Sequence, residues 1–143
     1  MTDTEAIREL LINWSENTRH DRKDQILSNH HSNLVIFDVL PPMKYESAAA
    51  YRASWGDWQP ETNGPGVFEL QNLEITAGIE VDFAHAFIRC GGKTPKGRSF
   101  EDTVRATFCL QRIDSRWHIM HQHVSKPYGQ SYGQSDGQSD GQS

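Results

Sequence analysis

Apolar residues recur at helical spacing near the start of the chain, where four of them fall on one face: Ile7, Leu10, Leu11 and Trp14. The run before them, Thr2-Asp3-Thr4-Glu5, fits a capping box, in which the side chains of the first and fourth residues bond each other's backbone N–H. The pattern predicts a first helix that ends at about Arg19.

A second, shorter helix is predicted over 24–29, with Asp21 as its cap. The continuous apolar run at 34–40 is rich in strand formers and is stopped by Pro41-Pro42, so it predicts a strand buried on both sides. After the prolines, Ser47 can cap a third helix. The aromatic residues of that helix share one stripe: Tyr51, Trp55 and Trp58.

The second half of the chain contains three longer strand-like segments, at about 67–76, 80–90 and 98–112. Turn residues separate them at 77–78 and 91–97, and Asp114-Ser115 leads into a terminal strand. Helices therefore gather early and strands late. This order predicts an α+β fold with an antiparallel meander rather than an alternating α/β fold.

The terminal strand combines apolar and polar residues on one predicted face. With a period of two, that face carries Trp117, Ile119, His121, His123 and Ser125. It runs from two large apolar side chains to two imidazoles and a hydroxyl, which is typical of a strand that passes from a dry core into a polar cavity. Lys126-Pro127 then ends the pairing, because proline has no N–H to donate.

The 143 residues suit a single domain, and the composition changes at about residue 128. Residues 129–143 repeat a Gly-Gln-Ser unit and contain almost nothing apolar. Such a segment cannot bury enough surface to offset the entropy lost on ordering. The sequence predicts a folded domain at 1–128 and a disordered low-complexity tail at 129–143.

The formal net charge of −5, with no run of Lys or Arg, argues against nucleic acid as a partner. No apolar run approaches the length of a membrane span, and the first residues do not resemble a signal peptide. Cys90 and Cys109 lack metal-type spacing and are predicted to be reduced thiols. We therefore expect a cytoplasmic protein that has no membrane contact.

Two charged residues interrupt predicted strands. Asp38 lies within the apolar run 34–40, where desolvation suits a carboxyl group to act as a base near neutral pH. Arg105 lies in the strand before the terminal one, where a buried guanidinium requires a carboxylate or several hydrogen-bond acceptors. Its partner is then either Asp38 or a ligand anion or carbonyl. Alternatively, Arg105 forms a structural ion pair or occupies a solvent-facing edge position.

The two histidines His121 and His123 lie two residues apart, roughly 6.6 Å along a strand, so both can contact one small ligand. The same spacing allows a metal site with a carboxylate as third ligand, although no motif fixes that ligand. Alternatively, both imidazoles bond protein groups only. Three aromatic residues can either line a pocket or fill the core: Tyr45, Trp55 and Trp58.

Four segments carry a family resemblance: Phe37-Asp38-Val39-Leu40-Pro41-Pro42, Tyr51-Arg52-Ala53-Ser54-Trp55, Val104-Arg105-Ala106-Thr107 and Trp117-His118-Ile119-Met120-His121-Gln122-His123-Val124-Ser125-Lys126-Pro127. Together they resemble the SnoaL-like, ketosteroid-isomerase-homologue branch of the nuclear-transport-factor-2-like superfamily. The last segment ends in the H-x-H-x-S-x-P strand of that branch. The similarity extends over about Ala6 to Tyr128.

The resemblance implies a cone-shaped, curved antiparallel sheet wrapped around three N-terminal helices, with a ligand pocket between them. It also implies a homodimer formed through the outer face of the sheet. The motif residues expected to point toward the pocket are Asp38, Arg105, His121, His123 and Ser125. The acid and base positions of ketosteroid isomerases themselves do not map onto this sequence.

The leading hypothesis is a small-molecule pocket protein with isomerase, dehydratase or cyclase-type proton transfer on a hydrophobic carbonyl compound. Asp38 is then the base, His121 or His123 the proton partner, and Arg105 the stabiliser of developing negative charge. The residues expected to contact the ligand are Tyr45, Trp55, Trp58 and Ser125. This hypothesis requires Asp38 and His123 on the same side of the sheet.

Two alternatives belong to other classes. One is a non-catalytic ligand-binding or dimeric association domain, in which Asp38 and Arg105 pair with each other. The other is a metal-dependent enzyme that uses His121 and His123. No cofactor motif is present in the sequence, so we expect no cofactor, and the sequence leaves open whether the protein is an enzyme.

Overall fold

The structure, a computed structural model, describes residues 2–58, 66–93 and 96–129, without the side chains of 56–58. Only the backbone of Trp58, a predicted ligand contact, is therefore described. The predicted tail lies outside the described residues, except for Gly129.

The described part of the first half of the chain forms three helices. Helix α1 spans Asp3–Arg19, and its predicted capping box is present: Thr2 Oγ1 accepts from the backbone N–H of Glu5, and the Glu5 carboxylate accepts from that of Thr2. Helix α3 spans Ala48–Trp58, and Ser47 Oγ accepts from the backbone N–H of Ala50, as predicted for its cap.

The second helix differs from its prediction. Helix α2 is a single turn, Lys23–Ile26, rather than a helix over 24–29. Asp21 does not cap it, because its φ of 55° places it in the left-handed region and Arg22 holds the cap position. The chain instead turns sharply between α1 and α2 and enters the first strand four residues earlier than predicted.

The five strands of the described residues form one sheet with the order β1-β5-β4-β3-β2. Their bounds are β1 His30–Phe37, β2 Val67–Thr76, β3 Val81–Lys93, β4 Ser99–Ile113 and β5 Arg116–Ser125. The pairs from β2 to β5 are antiparallel, as the predicted meander requires, and β1 lies parallel to β5 at the edge. The α+β fold class is confirmed.

Strand β1 is not buried on both sides. Leu34 and Ile36 are fully buried, whereas Phe37 remains 36% exposed. The strand ends at Phe37, so Asp38 follows the strand instead of interrupting it. The prediction of burial on both sides was wrong because Val35 and Phe37, although apolar, lie on the less buried side of the strand.

The two faces of the sheet differ sharply. The inner face is the side that packs on α1 and α3, and it carries Ala84, Ile88, Val104, Phe108 and Ile119. The ring of Trp14 in α1 meets that of Phe108 edge-on, with the centroids 5.2 Å apart. The outer face is the opposite side, and its residues on β3 and β4 include Phe83, His85, Phe87, Arg105 and Thr107.

Buried polar residues also lie within this core. His30 is 7% exposed, and its Nε2–H donates to Oε1 of Gln122 at 2.9 Å. Burial lowers the pKa of His30 to about 4, and the hydrogen bond to Gln122 opposes that shift. The ring is therefore neutral at physiological pH.

Asp82 on β3 is 1% exposed, and neither carboxylate oxygen forms a hydrogen bond within the described part of the chain. Burial raises the pKa of Asp82, an effect that the backbone N–H of Phe83 opposes. No helix among the described residues is both long and apolar enough to cross a membrane.

Candidate functional site

A β-bulge in β5 decides where the predicted histidines point. Cys109 of β4 pairs with His121, but the next residue, Leu110, pairs with Ile119, so Met120 is an extra residue in β5. Such a bulge reverses the side-chain alternation beyond it. Ile119 and Gln122 consequently both lie on the inner face, at 0% and 2% exposure.

The prediction that His121, His123 and Ser125 continue the face of Trp117 and Ile119 is therefore wrong. Before the bulge, Trp117 and Ile119 face inward; after it, Gln122 and Val124 do so, and the histidines and Ser125 lie on the outer face. These three side chains do not point toward the helices. Asp38 and His123 lie on opposite sides of the sheet, so the pairing of acid and base that the leading hypothesis required is absent.

On the outer face, the two histidines contact Phe37 and β1. The ring centroid of Phe37 lies 4.9 Å from that of His121 and 5.3 Å from that of His123, edge-on in both cases. The Nδ1–H of His121 donates to the backbone carbonyl of Val35 at 2.7 Å. His121 is thereby fixed in position by β1, while His123 stays exposed.

Arg105 also lies on the outer face, opposite Ser125 in the strand register. Its Nε donates to Ser125 Oγ at 2.8 Å. Asp38 is on the other side of the sheet, so the predicted partnership of Arg105 with Asp38 is wrong. The ion pair between Asp38 and Arg105 that the association-domain alternative predicted is therefore absent.

On the inner side, Asp38 forms a pair that the sequence did not predict. The hydroxyl of Tyr51 donates to Asp38 Oδ2 at 2.8 Å, and the backbone N–H of Val39 donates to Oδ1 at 2.7 Å. Burial raises the pKa of Tyr51 well above its ordinary value, and the neighbouring Asp38 charge and hydrogen bond add to that shift. The phenol therefore remains a protonated hydrogen-bond donor.

Aromatic side chains surround this pair. The ring of Tyr51 packs edge-on against Tyr45 and Trp55, with centroids 5.1 and 5.6 Å away. Tyr45 and Trp55, two of the predicted ligand contacts, are 7% and 5% exposed. The indole N–H of Trp55 opposes this rise in the pKa of Tyr51. It forms no hydrogen bond within the described residues. The carboxylate of Asp38 thus lies at the edge of an aromatic cluster.

A second polar group on the inner face is an ion pair between β4 and the end of β5. Lys126 Nζ donates to Asp102 Oδ2 at 2.7 Å, and the two side chains are 10% and 15% exposed. Cys90 lies opposite Asp102 in the register of β3 and β4. Burial, followed by the charge of Asp102, raises the pKa of the Cys90 thiol to about 11, against the opposing charge of Lys126.

The charge of Asp38 also acts on Cys90, so the Asp38 and Tyr51 pair and the Asp102 and Lys126 pair lie near each other on one side of the sheet. We call these four residues with Cys90 the inner polar cluster. Of these five residues, only Asp38 was predicted from the sequence as a site residue. Asp102 and Lys126 each lie two residues from an inward-facing residue, Val104 and Val124, so strand alternation could have placed them on the inner face. The alternation failed for Lys126 because the bulge at Met120 was not predicted, and Val124 was therefore assigned to the wrong face.

For the metal alternative, the described residues include no group of three or more His, Cys, Asp or Glu side chains that could hold a metal ion. His121 has one ring nitrogen bonded to Val35, and Asp38 is across the sheet. The third ligand that the sequence left undefined is therefore not found in the described part of the chain.

The sequence pattern of the SnoaL-like domain matches residues 7–129. The chain belongs to the SnoaL-like family. A crystal structure of a nuclear-transport-factor-2-like protein of unknown function from Pseudomonas putida is similar to it, with 27% identity, a TM-score of 0.74 and 90% of each chain covered. The predicted family and fold are both confirmed. A comparison with curated proteins finds no match.

Two solved structures with lower identity share the fold of the SnoaL-like chain. A candidate scytalone dehydratase from Novosphingobium aromaticivorans has 11% identity and a TM-score of 0.73, covering 96% of this chain and 95% of that one. The association domain of C. elegans CaMKII has 11% identity and a TM-score of 0.68, covering 86% and 95%. At this identity the likeness concerns the fold alone, because one fold hosts many functions.

Proposed function

We propose that this SnoaL-like protein binds a small hydrophobic carbonyl compound at the inner polar cluster and catalyses an isomerisation, dehydration or cyclisation there. The observation that carries the proposal is the hydrogen bond from Tyr51 to Asp38 beside an aromatic cluster. A carboxylate that is oriented by two donors at the edge of an aromatic cluster is suited to accept a proton from an apolar substrate.

The chemistry uses the two members of the pair differently. Asp38 takes a proton from the carbon next to the substrate carbonyl, and the electron pair of that C–H bond moves toward the carbonyl oxygen. Tyr51 remains protonated, so it can only donate, either to Asp38 or to the developing oxyanion. Lys126 supplies positive charge on the same side of the sheet. The resemblance of fold to a candidate scytalone dehydratase agrees with this reaction class.

The test is deuterium exchange. The protein is incubated in heavy water with a panel of cyclic ketones and enones, and loss of the α-proton signal is followed by proton NMR. We expect Asp38→Asn to reduce protein-dependent exchange about 100-fold and Tyr51→Phe to reduce it about tenfold.

The matched control is Asp114→Asn, which removes the same charge from an exposed turn and is expected to exchange at the wild-type rate. Melting curves of all three variants separate loss of exchange from loss of fold. Equal exchange by Asp38→Asn and wild type, or no exchange with any ketone, contradicts the proposed catalysis.

We also propose that two copies pair through the outer face, in line with the alternative of an association domain. What supports this is the exposure of aromatic residues there: Phe37 is 36% exposed, and Phe83 and Phe87 are each 46% exposed. Apolar groups gathered on one face of a soluble domain favour a protein interface. The similarly folded CaMKII domain is itself described as an association domain.

Sedimentation velocity tests the pairing. Phe83→Asp is expected to weaken self-association at least about tenfold, because it places a charge inside the contact. Met43→Asp is the control, since Met43 is 92% exposed but lies in the loop after β1. A wild-type protein that sediments as a monomer at every concentration contradicts the pairing.

A further inference from the structure

The outer face contains a cavity of about 270 Å³ that the proposed chemistry does not use. It is lined by Asn72, His85, Ala86, Phe87, Arg105, Ala106, Thr107, His123 and Ser125. None of these lining residues is acidic, although the chain as a whole carries a net charge of −5. The cavity therefore concentrates positive and hydrogen-bonding groups on an acidic protein.

Strand register brings these groups together in two adjacent rows. In one row, Arg105 lies between Phe87 of β3 and Ser125 of β5. In the next, Thr107 lies between His85 of β3 and His123 of β5. A guanidinium, two imidazoles and two hydroxyls thus share neighbouring positions on three strands.

A second arginine on the same face shows what is unusual about Arg105. Arg89 donates from Nε to Glu69 at 2.8 Å and from Nη1 to Glu101 at 3.0 Å. Arg105 donates only from Nε, to the neutral hydroxyl of Ser125, and forms no ion pair within the described residues. The fold provides Arg89 with two carboxylates and holds Arg105 by its Nε. Both terminal nitrogens of Arg105 thus form no hydrogen bond within the described residues.

We propose that this cavity is a binding site for a small oxyanion, the carboxylate or phosphate group of a ligand. The terminal nitrogens of Arg105 form the two-pronged donor that such groups accept. Thr107 adds a hydroxyl donor, and His85 and His123 add N–H donors from either side. Phe87 gives the site an apolar wall against which the rest of the ligand can pack.

The site does not depend on the proposed pairing of two copies. In a single copy the cavity is open to solvent. In a pair formed through the outer face, the cavity lies within the contact between the two copies. Burying the guanidinium of Arg105 there without a counter-charge is costly, and a bound oxyanion lowers that cost. Sedimentation in the same buffers reports pairing separately, so failure of one proposal is distinguishable from failure of the other.

The test uses the full chain and sulfate as the first probe, at constant ionic strength set with sodium chloride. Binding is followed by the amide NMR signals of Thr107 and Ser125 and by calorimetry. We expect saturable shifts at these residues, and Arg105→Gln is expected to weaken binding about tenfold or more, the effect of losing a charged hydrogen bond.

Arg116→Gln is the matched control, because it removes the same charge from the opposite end of β5, where Arg116 donates to Asn29. It should retain wild-type binding. Absence of saturation, or equal weakening by Arg105→Gln and Arg116→Gln, overturns the proposal and leaves a general salt effect. Benzoate and inorganic phosphate, compared with sulfate, then distinguish a carboxylate ligand from a phosphate ligand.

A double variant tests the contribution of the two histidines. The other charged or titratable residues around His85 and His123 on the outer face are Glu74, Arg105, Cys109 and His121. His85→Ala/His123→Ala removes both imidazole donors and is expected to weaken sulfate binding about tenfold at constant pH. Unchanged affinity in that variant removes the histidines from the site.

Discussion

The inner and outer faces of one sheet handle polar residues in opposite ways. On the inner face, Asp38 accepts hydrogen bonds from two donors, and Lys126 is paired with Asp102 at 10% exposure. On the outer face, Arg105 has one neutral partner among the described residues, and His123 is exposed. The inner face fixes its polar groups in position, which suits catalysis. The outer face leaves donors for a partner from outside, which suits binding.

The largest expected difference between the faces concerns their phenylalanines. Phe108 is fully buried on the inner face and Phe83 is 46% exposed on the outer face. Phe108→Ala is expected to reduce the free energy of unfolding by about 4 kcal/mol, because it leaves a cavity. Phe83→Ala should cost less than about 1 kcal/mol in the monomer. Urea titration measures both, and similar losses would remove the distinction between the faces.

The ion pairs extend the comparison to charge. Lys126→Met is expected to destabilise the fold by about 3 kcal/mol, because it removes the ammonium group that pairs with the largely buried Asp102 carboxylate. Lys44→Met is the control: Lys44 pairs with Glu46 at 3.4 Å, but both side chains are more than half exposed, and exposed pairs contribute about 0–1 kcal/mol. The double variant Lys126→Met/Asp102→Leu should recover part of the loss. A loss for Lys126→Met no larger than for Lys44→Met would contradict the buried pair.

His30 predicts how the inner core responds to acid. Its pKa is about 4 in the fold and 6.5 as an ordinary histidine, so the unfolded chain binds the proton first. Stability is complete above pH 6.5 and falls as the pH drops to about 4, by about 3 kcal/mol. His30→Gln should flatten this part of the pH profile, whereas His31→Gln, next to it on the less buried side, should not. If the stability of His30→Gln fell with pH as steeply as that of the wild type, other groups would be responsible for the acid sensitivity.

The smallest effect concerns Asp82, the exception among the inner-face groups because its carboxylate lacks a hydrogen bond in the described chain. Its raised pKa means that stability is complete below the ordinary value of 3.8 and is lost as the pH rises through the folded value. Asp82→Asn should therefore raise the melting temperature by a few degrees at pH 7 and leave it unchanged near pH 3. Asp114→Asn is again the control, and a lower melting temperature for Asp82→Asn at pH 7 would mean that the charge has a partner.

Most of the fold follows from sequence because it depends on local patterns. The capping box at Thr2 and Glu5 and the turn at Asp114-Ser115 were predicted, and both are present. The bounds of β2 were predicted as 67–76 and are Val67–Thr76. These features depend on residues close together in the chain, where spacing and turn chemistry are informative.

The candidate site was predicted less well, because its geometry depends on contacts between distant segments. Asp38 was identified from its apolar surroundings, but its partner Tyr51 is on a helix beyond the Pro41-Pro42 turn, and no spacing rule connects them. The assignment of His121 and His123 failed because a bulge has no local sequence signature here. Arg105 was interpreted as a buried charge in need of an acceptor on the pocket side, but it is exposed on the outer face and donates to Ser125.

The extra residue at Met120 has a consequence for redesign of this fold. A single insertion or deletion at this point of β5 moves every side chain beyond it to the opposite face of the sheet. Removing one residue there would turn the two imidazoles toward the helices and move Gln122 and Val124 outward. Within such a family, a change in length by one residue in the last strand can therefore alter which chemistry faces the pocket more than any point substitution.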